Sequence, residues 1–226
     1  KNKMVSSLSK KELVDYIKNL LNRNFPDPYP CDIKSLESIV SDGLDRLEYS
    51  FSHVNDRYFN DGVSARFNHL NTDHMVVLIY YIANTGYMKN ISENILQKLY
   101  CLNKLLHSVD IFYSVRLPKI FCVAHPLGTI LGHAEYNDYL YIYQNVTIGS
   151  TNDGIYPKLG MHVALSSNTS IIGECNIGNN VLFGGNSFII NTDIPDNSLV
   201  LGHYPNNRIV ENKTPVFKRF FKEKNE

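Results

Sequence analysis

YPKLGMHVALSSNTSIIGECNIGNNVLFGGNSFII (156–190) decides the fold, because its apolar residues return every six positions. Leu159, Leu165, Ile171, Ile177, Phe183 and Ile189 carry the beat, and four places after each of the first five stand Val163, Thr169, Cys175, Val181 and Ser187, all small or β-branched. An amphipathic helix needs apolar returns at three and four residues, and a half-buried strand needs them at two. A period of six suits a solenoid of very short strands, in which three hexads make one triangular turn and each turn covers the next. Asn and Gly recur between the hexads, as corners require, since both tolerate the positive φ at which a short strand bends.

Upstream, Tyr136, Ile142 and Ile148 keep the spacing, with Leu140 and Val146 in the small position. Ile148 to Leu159 is eleven residues where six would keep the beat, so about five residues within 150–157 leave the solenoid as a loop. A one-residue slip between Leu131 and Tyr136 marks a second irregularity. Before residue 115 the pattern is helical. Leu13, Tyr16, Ile17, Leu20 and Leu21 form one stripe, ended by FPDPYP (25–30), since proline removes a donor and restricts its predecessor. A second helix is expected from Asp32 past Leu47. Two more are expected over 74–88 and 91–109, joined by a turn at Asn84 to Gly86, with Ser92 starting the latter. The division is a helical region over 1–115, a solenoid over 116–210 and a charged, solvated tail over 211–226 that holds Lys213, Lys218, Arg219, Lys222 and Lys224.

Lys plus Arg and Asp plus Glu number 22 each in 226 residues, so no global charge favours nucleic acid or an anionic membrane. Cys31, Cys101, Cys122 and Cys175 lie too far apart for a CxxC metal or redox motif, and no metal is expected. No apolar run reaches membrane-spanning length, and KNKMVSSLSKK at the start lacks the apolar core of a signal peptide, which leaves the cytoplasm as the expected location.

Several segments then resemble the hexapeptide-repeat acyltransferases, in the serine acetyltransferase branch. VDI (109–111) precedes AHPLGTILG (124–132), which is similar to that family's DHATGIVIG; YIYQNVTIGS (141–150) is similar to ILQSVTLGG; and YPKLGMHV (156–163) is similar to HPKIREGV, with a matching end in NTDIPDNSLVLGHYPNNRIV (191–210). The resemblance implies an α+β chain, an N-terminal α-helical region followed by a left-handed parallel β-helix. It also implies a homotrimer, or a dimer of trimers, with acetyl-CoA in the cleft between solenoids. His125 falls on the catalytic base and Asp110 on the carboxylate that orients it, at the family's interval of fifteen residues. The chemistry agrees. A hydroxyl attacks a thioester poorly unless a base takes its proton, and imidazole titrates near working pH. Gly149, Ser150, Ser166, Ser167, Gly184, Gly185, Arg208 and Lys213 fall where the family holds the cofactor.

Two departures bear on the acceptor. Ala124 replaces the acidic residue before the base, and Tyr156 replaces a second histidine; both family positions serve the amino-acid acceptor. With Tyr156, Lys158 and Gln144 as acceptor contacts, the expectation is an acetyl-CoA-dependent O-acetyltransferase acting on a sugar hydroxyl of a capsule, lipopolysaccharide or related surface glycan. Serine O-acetylation, amino-sugar N-acetylation and a non-catalytic trimeric scaffold stand beside it as alternatives.

Overall fold

The computed structural model describes residues 4–31 and 33–223. The helical region holds α1 (Lys10–Asn24), α2 (Ile33–Phe51), α3 (Thr72–Met88) and α4 (Glu93–His107), with a short parallel pair of β1 (Val5–Ser6) and β2 (Arg66–Phe67). The expected start of the second helix at Asp32 lies outside the described residues. Ser9 and Glu12 form a reciprocal capping box at the head of α1, which satisfies two otherwise free N–H groups. FPDPYP ends α1 as expected, and this linker is fastened to α4: Lys98 Nζ donates to Asp27 Oδ1 at 2.6 Å and to the Tyr29 carbonyl at 2.7 Å. Helix α3 is buried nearly all round and runs straight through the expected turn at Asn84–Gly86. The reason is tertiary. The Asn84 side-chain amide donates to the carbonyls of Tyr113 and Val115, and a Cβ on Gly86 would stand 2.7 Å from Leu96 Cδ2, so the small residue admits α4. Helix α4 follows Ser92, whose side chain makes no capping bond.

Beyond α4 the chain winds into a triangular parallel solenoid. One face, here called the first sheet, carries β4 (Phe121–Val123), β6 (Leu140–Ile142), β9 (Val163–Leu165), β12 (Val181–Phe183) and β14 (Ser198–Leu201), one strand from each of five turns, edged by the antiparallel β15 (Arg208–Glu211). The second carries β3 (Asp110–Ile111), β5 (Ile130–Leu131), β7 (Thr147–Gly149), β10 (Ser170–Ile172) and β13 (Phe188–Ile190). The third is shortest, with β8 (Lys158–Leu159) paired to β11 (Asn176–Ile177). All six hexad residues and all five small-slot residues of 159–189 are buried. Asn145, Asn168, Asn180, Asn186, Asn191 and Asn197 turn corners at φ between +46° and +61°. They also stack: Asn168 Nδ2 donates to Asn186 Oδ1 at 2.9 Å and Asn180 Nδ2 to Asn197 Oδ1 at 2.8 Å. Val163 pairs with Leu140 and with Val181, which are 23 and 18 residues away; the difference of five is the extra loop of 150–157.

The end of the chain departs from expectation. Residues 216–220 form α5 (Val216–Phe220), with Val216, Phe220 and Phe221 buried and the Phe220 ring stacked on Tyr141 at 4.3 Å. The segment then bridges to the helical region: the Lys222 N–H donates to His53 O, and Lys222 Nζ to Asn60 Oδ1 at 2.7 Å. The aromatic residues between the lysines give this segment a reason to pack, so it is a strap and not a solvated tail. Lys224 lies outside the described residues.

Two buried histidines set a pH limit on the helical region. His74 sits among the rings of Phe51, Phe59 and Phe67 with Nδ1 accepting the Asn68 N–H, and His107 is hydrogen-bonded to Asn103. Burial pushes both imidazoles down to about 4. Their neutral forms belong to the fold, so their contribution is complete above the unfolded value of 6.5 and is lost as pH falls from there towards 4. Urea unfolding is expected to show a loss of about 2 kcal/mol per histidine between pH 7.5 and about 5. An unchanged unfolding midpoint over that interval would contradict the neutral assignment.

Candidate active site

The corner between the first and second sheets is widened in one turn. Ile142 to Thr147, Leu165 to Ser170 and Phe183 to Phe188 each cross it in five positions, whereas Val123 to Ile130 takes seven at the same register. The two extra residues are His125 and Pro126. They push the imidazole out of the prism, and His125 is exposed with φ +54°, in the left-handed region used elsewhere by asparagine. Its main-chain N–H donates to Asp73 Oδ1 at 3.0 Å, while neither ring nitrogen has a hydrogen-bond partner among the described residues.

Asp73 is the second residue of α3. Asn71 already caps that helix by accepting the Asp73 N–H at 2.9 Å, so the Asp73 carboxylate is free to reach the solenoid corner. Burial pushes its carboxyl up; the N–H and charge of His125 act against that, and the nearby Asp56 reinforces it. Sequence reasoning missed both aspartates. A signal existed in the NTDH run at the head of a helix, but nothing local says that this helix ends against a corner 52 residues later.

Asp110 is placed differently from the expectation that it braces His125. Its Oδ1 accepts the Tyr100 hydroxyl at 2.6 Å and its Oδ2 the Lys104 ammonium at 2.8 Å, and none of its hydrogen bonds runs to the imidazole. Tyr100 and Lys104 lie one turn apart on α4, and β3 starts just past the end of that helix, so both reach the carboxylate first. Burial raises the Asp110 carboxyl, but Lys104 and Tyr100 outweigh this and hold it below the usual range, while Lys104 is lifted to about 12. The main chain of Asp110 does abut the corner, its N–H donating to Thr129 O at 2.8 Å.

Gln144, Ser166, Ser167, Gly184 and Gly185 stand in a column on the same corner as His125, joined by Asn145 N–H to Leu127 O, Asn168 N–H to Gln144 O and Asn186 N–H to Ser167 O. The Gln144 side-chain oxygen is buried with no partner among the described residues. Leu127 and Ile130 beside it are 60% and 46% exposed. Gly149 and Ser150 are not in this column; they lie at the far end of β7, a strand length of about 10 Å from the corner. Tyr156 is on that far side too, its ring seated where a Cβ on Gly132 would fall, 2.5 Å from Tyr156 Cε1, and edge-on to His133. Lys158 pairs with Glu135 at 3.1 Å across exposed surface. Arg208 and Lys213 are exposed near the last hairpin. No group of three or more His, Cys, Asp or Glu among the described residues is placed to hold a metal ion, and no helix among them is long and apolar enough to cross a membrane.

Helices capping a five-turn parallel solenoid are found again in solved structures. A serine acetyltransferase of Vibrio cholerae O1 superposes with a TM-score of 0.69 at 17% identity, covering 91% of this chain and 80% of that one. One from Neisseria gonorrhoeae gives 0.67 at 20%, covering 91% and 83%. The fold is that of the serine acetyltransferases. Another such structure, a complex with CoA, gives 0.65 at 18% identity, covering 89% of this chain and 95% of that one. Among curated sequences, the serine acetyltransferase of Synechococcus elongatus is 32% identical over 105 residues, covering 45% of this chain and 43% of its own length. That of Staphylococcus xylosus is 27% identical over 117 residues, covering 47% and 54%. The chain thus spans about half the length of the curated relatives it matches. No family model matches it.

Proposed function

We propose that this chain is an acetyl-CoA-dependent O-acetyltransferase whose acceptor is serine or a closely similar hydroxy amino acid. The observation that carries it is the projecting His125, alone on a two-residue insertion, with the carboxylate of Asp73 against its main chain. A base with free ring nitrogens can take the hydroxyl proton as the oxygen attacks the thioester carbonyl carbon, and can return that proton to the departing CoA sulfur. Atoms and charge balance without a metal or an enzyme-bound acyl group. A carboxylate beside the base makes the local potential negative, which suits an acceptor bearing an ammonium group and supplies charge that Ala124 lacks.

The residues on the corner suit the cosubstrate. Gly184, Gly185, Ser166 and Ser167 leave room for a narrow arm, and the unpartnered Gln144 oxygen can accept from one of the amide N–H groups of pantetheine. Gly149, Ser150, Tyr156 and Lys158 sit at the far corner of the same prism, so they would meet His125 only across a boundary between copies, as in the homotrimer the resemblance implies. The exposed Leu127 and Ile130 favour such a boundary.

The glycan acceptor is the weaker reading. Its support is the departure from the family at Ala124 and Tyr156; the Asp73 carboxylate beside His125 offsets the first, and the ring of Tyr156 is already packed over Gly132. Release of CoA thiol, measured with serine, nucleotide sugars, oligosaccharides and an amino sugar in parallel, tests the proposal. Serine is expected to give the highest rate; turnover with a sugar and none with serine would refute it.

A further inference from the structure

We infer that Asp73 is a positioning residue for His125, holding the corner peptide in place from outside the solenoid; this rests on His125 being the base. The other main-chain bonds of this stretch go to main chain: Ala124 N–H to Ile142 O, Leu127 O from Asn145, Gly128 N–H to Ser108 O and Thr129 N–H to Pro126 O. Pro126 has no N–H to offer. The His125 N–H, at the residue that bends into the left-handed region, is the one bound by a side chain.

The anchor is rigid. Helix α3 is buried continuously from His74 to Gly86, so its first turn has little freedom. Asn71 performs the capping, so the Asp73 carboxylate, which also bonds the Thr72 side chain beside it, is not needed as the cap of its own helix. The His125 ring makes no hydrogen bond among the described residues, so its aim depends on the peptide that carries it. A bend of this kind is adopted by a non-glycine residue at some cost, and a charge-assisted bond to its N–H offsets that cost.

Three variants separate reach from charge. Asp73→Ala removes the acceptor and is expected to lower kcat about tenfold to a hundredfold, the worth of a hydrogen bond to a charged group, with KM for acetyl-CoA unchanged. Asp73→Asn keeps an oxygen in place and is expected to recover most of the lost kcat while raising KM for serine. Asp73→Glu keeps the charge but moves the oxygen, and is expected to lose kcat as Ala does. Amide hydrogen exchange of 15N-labelled protein gives a readout without turnover: the His125 N–H should exchange at least about tenfold faster in Asp73→Ala than in wild type, and slowly in Asp73→Asn. Unchanged His125 exchange in Asp73→Ala, or a Glu variant as active as wild type, overturns the inference. A wild-type protein inactive with every acceptor refutes the catalytic reading of His125 instead, and the exchange experiment still decides whether Asp73 holds the corner.

Discussion

Replacing His125 by alanine is expected to lower kcat by about 10²–10⁴ while leaving CoA binding and the melting temperature near wild type. The side chain is exposed and its ring makes no hydrogen bond among the described residues, so its removal opens no buried cavity and orphans no hydrogen-bond partner there. What disappears is the group that accepts the hydroxyl proton. The main-chain N–H that meets Asp73 is retained by alanine, although the left-handed bend is less comfortable for it. Steady-state kinetics with saturating acetyl-CoA, beside a calorimetric CoA titration, checks both halves. Near-normal kcat would move the chemistry elsewhere on the molecule.

The largest expected effect on stability is at Phe183. This ring is fully buried in β12, in register with Leu165 on one side and Val200 on the other, in the fourth of the five turns. Phe183→Ala is expected to cost about 3–5 kcal/mol, since the stacked turns above and below are joined by main-chain ladders and cannot close on the void. For a chain of this size that is a fall in Tm of about 10 °C. Because each turn touches only its neighbours, loss of amide protection should be greatest in β12, β13 and β14. A cost below about 1 kcal/mol would mean that the turns slide to fill the space, contrary to close packing.

The solenoid could be read from the chain because its period belongs to the sequence itself: each hexad reports its own inward residue, and Asn145, Asn168 and Asn186 report their own corners. The surplus of five residues at 150–157 was countable for the same reason. What could not be read depends on contacts between distant segments. Asn84, Thr85 and Gly86 look like a turn, yet Asn84 is pinned by the carbonyls of Tyr113 and Val115 and Gly86 lies under Leu96. The lysines near the end suggested solvent, whereas Val216, Phe220 and Phe221 between them are buried against the solenoid. At the candidate site the projecting histidine was legible and its neighbours were not. The spacing from Asp110 to His125 pointed to a pair, but Asp110 is held by Tyr100 and Lys104, and the carboxylate at the His125 peptide comes from the head of α3.

The measurement closest to the central claim is the identity of the bond formed. Serine and [1-13C]acetyl-CoA incubated with the protein at mildly acidic pH should give an ester carbonyl on the serine hydroxyl in the 13C spectrum, and His125→Ala should not. An amide carbonyl from the wild type, or an ester formed as readily without the imidazole, would contradict hydroxyl activation by His125.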